Sequence, residues 1–316
     1  MAEKKIIAVI GATGAQGGGV ARAILNDKSG EFSVRALTRN VNSDKAKALT
    51  DIGAEVVKAD LDDYESLKKA FEGAYGVFGI TNFWEHFSPE KETEQAKTIA
   101  KAAKAANVKH VIWSSLDDTR KWIPLSDNRM PTLQGKYKVP HFDAKGESNK
   151  FFSEYAVPTT IFNTVFYWEN FIYFGQGPKN GADGKISISL PLADKKMPSI
   201  AVEDIGKCAY AIFKAGDKYI GKTVGIAGEH LTGKQFAEAF SKALGKEVTY
   251  NAISADTYRS FGFPGADDMG NMYQFKAEFE KDYCQSRSIE LTRTLNPSLK
   301  NFSTWLEHNK SKIPLE

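Results

Sequence analysis

The sequence predicts an α/β chain built on a doubly wound parallel sheet, with a smaller α+β region toward its C-terminus. Three observations predict it. The chain opens on an unbroken apolar run, Ile6 to Ile10, that stops at a glycine-rich turn and resumes in Val20, Ala21, Ile24 and Leu25. Strand-like and helix-like stretches then alternate over the first half of the 316 residues. Such alternation predicts parallel strands joined by right-handed helical crossovers. The expected division is residues 1–164 for the doubly wound part and 165–316 for the smaller region, with strands free to cross over between them.

The first apolar run reads as a strand buried on both faces, and the second as a helix packing Val20 and Ile24 inward. Between them stands Gly11-Ala12-Thr13-Gly14-Ala15-Gln16-Gly17. Glycines at this spacing supply positive backbone angles, close approach of a diphosphate and tight helix–strand packing. The diphosphate then rests on the amides of a helix N-terminus, where the dipole favours anions. A glycine spacing alone describes any flexible loop. One that leaves a first strand and opens a helix predicts dinucleotide binding.

The remaining elements follow in order. Residues 32–37 read as a second strand, followed by a helix over 43–52 that Gly53 ends. Residues 55–59 make a third strand, and 64–71 a helix ended by Gly73. A fourth strand covers 76–80. A long alanine-rich helix over 90–106 has Asn107 placed to cap its end. Its Lys97, Lys101 and Lys104 read as a solvent face, with Ile99, Ala103 and Ala106 inward. Residues 108–113 form a fifth strand leading into Ser114 and Ser115, and 159–163 a sixth.

Ligands of doubly wound sheets lie beyond the carboxyl ends of the strands, so the residues there are the candidates. After the second strand comes Thr38-Arg39-Asn40, where an NAD-binding chain usually carries an acidic residue for the ribose 2′-hydroxyl. An arginine there meets a 2′-phosphate instead, with Lys45 adding a second charge, which predicts NADP(H). Two surface cations would account for the same residues, and the missing carboxylate is what favours NADP(H). After the third strand, Asp60 and Leu61 are placed to meet an adenine, and Asp60 equally suits a helix cap. After the fourth, Thr81, Asn82, Phe83 and Trp84 approach the ribose and nicotinamide end, although exposed aromatics there also serve to seal a core.

Composition narrows the class. The hydrophobic share is 42% and the charged share 26%, ordinary for a globular chain. A net charge of +3 gives no basis for nucleic-acid or membrane binding. No apolar run approaches transmembrane length and no signal peptide precedes the first strand, so the expected location is cytoplasmic, with access to the nucleus. Cys208 and Cys284 form no motif and read as packing residues of a reducing compartment. The five histidines show no metal-ligand spacing, so no metal is expected.

Beyond residue 164 the pattern is less regular. Residues 175–184 are a glycine-rich connection without regular pattern. Residues 186–190 alternate as a half-buried strand, 202–213 make a helix, and 223–226 a strand. Thr232 with Gln235 is a capping box for a helix over 236–244, and 248–253 a further strand. Phe261 to Gly265 with Met269, Met272, Tyr273 and Phe275 suits either an adaptable surface or, more simply, a small-domain core.

The stretches 11–18, 38–40, 81–85 and 141–147 resemble the NmrA-like branch of the atypical short-chain dehydrogenases. The likeness extends to 262–266 and 295–297 and so covers the chain, and it is closest to the NmrA-like redox-sensor proteins. The resemblance implies a Rossmann domain with a smaller C-terminal region, NADP(H) binding, and a regulatory role for several members. It also implies that Val165, Phe166, Tyr167 and Trp168 lie against the nicotinamide, while the residues alone equally suit an aromatic cluster joining two subdomains.

Working short-chain dehydrogenases carry Tyr-x-x-x-Lys, one helical turn apart, so that the lysine lowers the tyrosine's pKa and holds the ribose. Here Lys145 takes the lysine position and His141 the tyrosine's. Tyr137 lies eight residues before Lys145 with Pro140 between, which puts it ahead of the helix. The expectation is an NADP(H)-binding regulator that works through a protein partner, a transcription factor or a metabolic enzyme, with a homodimer compatible. The alternative is an NADPH-dependent reductase of a small carbonyl or quinone-like substrate in which Lys145 or His141 moves the proton. Related phenylpropanoid reductases, which lack the tyrosine and use the lysine, keep that alternative open.

Overall fold

The computed structural model describes residues 3–181 and 184–315. Its strands are β1 (Lys5–Val9), β2 (Phe32–Thr38), β3 (Glu55–Lys58), β4 (Ala74–Gly79), β5 (His110–Ser115), β6 (Thr159–Asn163), β7 (Phe166–Tyr167), β8 (Lys179–Asn180), β9 (Ile186–Leu190), β10 (Lys196–Ile200), β11 (Thr223–Gly225), β12 (Glu229–Thr232) and β13 (Val248–Ala252). The helices that matter below are α1 (Ala15–Asn26), α2 (Asp44–Asp51), α3 (Tyr64–Phe71), α4 (Pro89–Ala105), α5 (Pro140–Glu154), α6 (Asn170–Tyr173), α7 (Val202–Lys214) and α8 (Gly233–Leu244).

Contacts divide the chain into two units, one made of residues 3–118, 141–164 and 202–224, the other of 119–140, 165–201 and 225–315. The first unit is organised by a seven-stranded sheet in the order β11-β6-β5-β4-β1-β2-β3. The pairings among β1 to β6 are all parallel, and the chain reverses direction across the sheet between β1 and β4. This is the doubly wound Rossmann arrangement, and that reversal is its switch point.

Helices cover both faces of the sheet. On one face Leu67 and Phe71 of α3, Ala96, Ile99 and Ala103 of α4, and Phe152 of α5 pack on Ala8, Val77, Val111 and Trp113. On the other, α1 crosses α7 where Gly19 meets Gly206. A Cβ built on Gly206 would stand 2.2 Å from the Gly19 carbonyl carbon, so two bare backbones are what allow the crossing.

Local chemistry sets the ends. Ser43 caps α2, and Asp63 caps α3 by accepting from the Ser66 amide. The cap of α3 is therefore Asp63 and not Asp60, whose carboxylate instead accepts from the Asp62 amide within its own turn. Asn107 takes a left-handed φ of 55° after α4, and the Val108 amide reaches back to the Ala103 carbonyl. That closure uses up Val108, so β5 begins at His110, two residues later than the apolar run predicts. On α4, Lys101 and Lys104 are exposed and Lys97 half-buried, while Ile99 and Ala103 are buried.

The second unit holds two three-stranded sheets, β12-β10-β7 and β13-β9-β8. The sequence reading of a glycine-rich connection without regular pattern over 175–184 is corrected by β8, which pairs with β9; residues 182 and 183 lie outside the described residues. It also passed over β10 and β12. Pro198 inside β10 argues against a strand, yet the pairing with β12 accommodates it opposite His230. The Thr232–Gln235 capping box opens α8 as read, one turn ahead of Phe236. Trp168, Phe171, Phe236, Phe240, Phe302 and Trp305 stack into one aromatic core. Met272, Tyr273 and Phe275 are buried as core, whereas Phe261 and Phe263 stay exposed.

Candidate functional site

The glycine turn is shaped by backbone contacts. Gly11 sits at φ 62° and its carbonyl accepts from the Gly14 amide at 2.8 Å. A Cβ on Gly17 would come within 2.4 Å of the Ile10 and Gly11 carbonyl oxygens, so α1 can lie this close to β1 only with glycine there. Gly14 is the cap residue of α1, with no side chain to satisfy the first amides of the helix. Those amides point out of the helix end. Ala12 is buried, Thr13 half-buried, and Ala15 exposed. Gln16 is turned inward, its Oε1 accepting from Ser114 Oγ at the end of β5 at 2.8 Å.

Past β2, the Asn40 amide donates to Thr38 Oγ1 and the Asn42 amide to Asn40 Oδ1, which folds the loop before α2. Arg39 and Lys45 are exposed, and Arg39 donates to Glu85 Oε1 at 2.9 Å. Past β3, Asp60 is exposed; Leu61 is half-buried and lines an open depression with Asp62, Tyr64, Gln95 and Tyr155.

Past β4 the chain makes a single 3-10 turn over Phe83–Glu85, preceded by buried Thr81 and exposed Asn82. Phe83 is buried, while Trp84 is 40% exposed with its ring 4.8 Å from that of His141. His141 opens α5 and is nearly buried against Phe83 and Phe142. One turn later stands Lys145. Its ammonium donates to Thr81 Oγ1 at 2.7 Å and the Thr81 carbonyl at 3.1 Å, and lies 2.7 Å from Glu92 Oε1.

Glu92 is a residue the sequence reading missed. It lies in the first turn of α4 and has no solvent exposure. Burial opposes its ionisation, but Lys145, His86 and the Thr81 hydroxyl outweigh it and hold the carboxyl at about 2. Its second oxygen faces His86 Nε2 at 3.5 Å, while His86 Nδ1 accepts from the Ser88 amide. That acceptor role puts the ring's proton on Nε2, the nitrogen on the Glu92 side. A signal for Glu92 was available: positions 92, 96, 99 and 103 fall on one helical stripe, and the other three are the buried Ala96, Ile99 and Ala103.

Val165, Phe166, Tyr167 and Trp168 belong to the second unit. Trp168 is wholly buried, donating to Ser199 Oγ at 2.7 Å, and Phe166 packs on Phe171. Tyr137, also of that unit, is buried beneath the cations Arg120 and Lys136. Cys208 is buried within α7 and its thiol is pushed up by burial; burial likewise pushes Cys284 up to about 11. Among the described residues no three potential metal ligands come together, and no helix is long and apolar enough to cross a membrane.

A strand, glycine turn and helix at the switch point, with a lysine fixed behind the next strand, is an arrangement that known families can be compared against. The sequence pattern of the NmrA-like family matches residues 3–307. The chain belongs to the NmrA-like family. An NmrA-like family oxidoreductase of Cladobotryum sp. is 30% identical over 289 residues, covering 85% of this chain and 83% of that protein. An NmrA-like family domain-containing protein of Dictyostelium discoideum is 33% identical over 263 residues, covering 81% and 82%. Among solved structures, the negative transcriptional regulator NmrA in complex with NAD superposes with a TM-score of 0.80 at 23% identity, over 97% of this chain and 95% of that one. A Citrobacter triphenylmethane reductase complexed with NADP(H) gives 0.75 at 21%, over 98% and 99%. At these identities the structures establish the fold that this NmrA-like chain shares.

Proposed function

We propose that this NmrA-like protein binds NADP(H) and acts as a cofactor-responsive regulator through a protein partner, a transcription factor or a metabolic enzyme, with little or no dehydrogenase turnover. The residues fit the cofactor. Gly11 in its left-handed conformation and the uncapped start of α1 make a place for a diphosphate, and Arg39 and Lys45 are exposed cations beside β2 for a 2′-phosphate. Asp60 and Leu61 suit the adenine. Thr81, Asn82, Phe83 and Lys145 suit the ribose and nicotinamide end. When bound, the cofactor supplies hydride chemistry; the chain's own part is to hold it and to shield it.

One observation carries the regulatory reading. The side chain one turn before Lys145 is a histidine packed against Trp84 and Phe142, so that position offers the lysine no phenol. The lysine's charge is moreover balanced by Glu92. NmrA, the regulator with a closely similar fold, supports the same reading. Coupling to a partner requires that cofactor bind one conformation better than another.

The second reading, an NADPH-dependent reductase of a small carbonyl or quinone-like substrate in which Lys145 or His141 moves the proton, is favoured by the relatives named as oxidoreductases and by the buried ammonium of Lys145. NADPH oxidation across aldehydes, ketones and quinones, alongside protease sensitivity with and without NADPH, separates the two. A regulator shows background oxidation and altered cleavage. Turnover at ordinary enzyme rates, lost in a folded Lys145→Ala variant at saturating NADPH, establishes the reductase.

A further inference from the structure

Arg39 is already engaged. Its guanidinium donates to the carboxylate of Glu85 at 2.9 Å, joining the loop after β2 to the turn after β4 across 46 positions of sequence. That turn is compact: the Glu85 amide bonds the Asn82 carbonyl at 3.2 Å and the Phe87 amide the Phe83 carbonyl at 2.8 Å. The same turn carries Trp84, whose ring lies 4.8 Å from that of His141. One short segment therefore presents an acceptor to Arg39 on one side and a ring to the start of α5 on the other.

A carboxylate and a phosphate monoester compete for the same guanidinium donors, and the phosphate brings more charge and more acceptor oxygens. We propose that Glu85 is a specificity-determining residue: it occupies Arg39 until a 2′-phosphate displaces it, and that displacement frees the turn carrying Trp84. A cofactor with a bare 2′-hydroxyl offers no dianion and leaves the pair intact. Glu85 thus makes the chain respond to the phosphorylated cofactor and not merely bind it. Release of Glu85 does not strand its charge, because its side chain is 46% exposed and water solvates the carboxylate. The inference rests on the reading that Arg39 faces the 2′-phosphate.

The test is titration of the wild type, Glu85→Gln and Glu85→Ala with NADPH and with NADH, together with hydrogen exchange over residues 82–88. Removing an exposed competitor of this kind tightens NADPH by about two- to fivefold, with a smaller change for NADH. In the wild type, NADPH speeds exchange of the turn and NADH does not; in both variants exchange is already fast without cofactor. An NADPH preference unchanged in both variants overturns the proposal alone, as does a turn that responds equally to both cofactors. A wild type that binds both equally, with Arg39→Ala altering neither, overturns it together with the Arg39 assignment.

Discussion

Lys145 Nζ lies 2.7 Å from Glu92 Oε1, and Thr81 bridges the two by accepting from the ammonium and donating to the carboxylate at 2.5 Å. The pair sits behind the end of β4, with the Glu92 side chain wholly buried and that of Lys145 11% exposed. A buried carboxylate facing a cation and a hydroxyl is compensated; the same carboxylate or the same ammonium left alone is not. Glu92→Ala is therefore expected to cost about 3–5 kcal/mol in urea unfolding, and Glu92→Leu with Lys145→Met together far less than the sum of the two singles. Additive losses would mean that the two charges do not depend on each other.

The same pair fixes an acid dependence. The Glu92 carboxyl is held at about 2 in the folded chain against 4.5 for an ordinary glutamate. A depressed carboxyl contributes stability that is present above the unfolded value and is lost as pH falls through the folded one. The stability gap between the wild type and Glu92→Gln is thus constant near neutrality and closes between about pH 4.5 and about pH 2. Urea midpoints at pH 7, 4 and 3 measure it. A gap that does not shrink in acid contradicts an ionised Glu92.

Most of the first unit was legible because its signals are local. The run from Ile6 to Ile10, the stops at Gly53 and Gly73 and the period of α4 each act within a few residues, and β2, α3 and β6 match their predicted spans to within a residue. Glu92 was hidden because a glutamate in the first turn of a helix reads as a solvated dipole partner. Its partners Thr81 and Lys145 are 11 and 53 positions away, a juxtaposition that only the sheet creates. Glu85 likewise stands in the sequence only as part of a motif, because its partner Arg39 is 46 positions away. In the second unit β10 and β12 escaped because Pro198 breaks the strand pattern and the pairing that rescues it comes from more than 30 positions away.

The glycine turn separates binding from folding. A Cβ on Gly14 meets only the Gly11 carbonyl at 3.2 Å, whereas one on Gly17 collides with two carbonyls at 2.4 Å. Gly14→Val is expected to keep the far-ultraviolet circular dichroism of the wild type and lose NADPH binding, and Gly17→Val to lose both. Normal affinity in Gly14→Val would place the diphosphate elsewhere.

Arg39→Ala should erase most of a preference for NADPH over NADH. A charge-assisted hydrogen bond is worth about 1.5–3 kcal/mol, less the small cost of parting from Glu85. Calorimetric titration with both cofactors reads the difference. Equal affinities in the unmutated protein would remove the basis for NADP(H) selectivity.

His141→Tyr tests why the position matters. A tyrosine at 141 would stand one turn before Lys145, the spacing at which a free ammonium activates a phenol. Here the ammonium already faces Glu92 and two Thr81 oxygens, so its charge is largely spent on the interior. The Trp84 ring also packs against the residue at this position, with ring centroids 4.8 Å apart. The single variant is therefore expected to oxidise NADPH no faster than the wild type with any aldehyde, ketone or quinone. Adding Glu92→Gln withdraws the competing charge, and the double variant is expected to rise above the single one, still below the roughly 10²–10⁴-fold that a positioned general acid contributes. Parallel NADPH titrations show that cofactor is bound in each. A single His141→Tyr variant that turns over substrate at ordinary rates would mean that the missing phenol alone keeps this chain from catalysis, and that Glu92 does not silence the lysine.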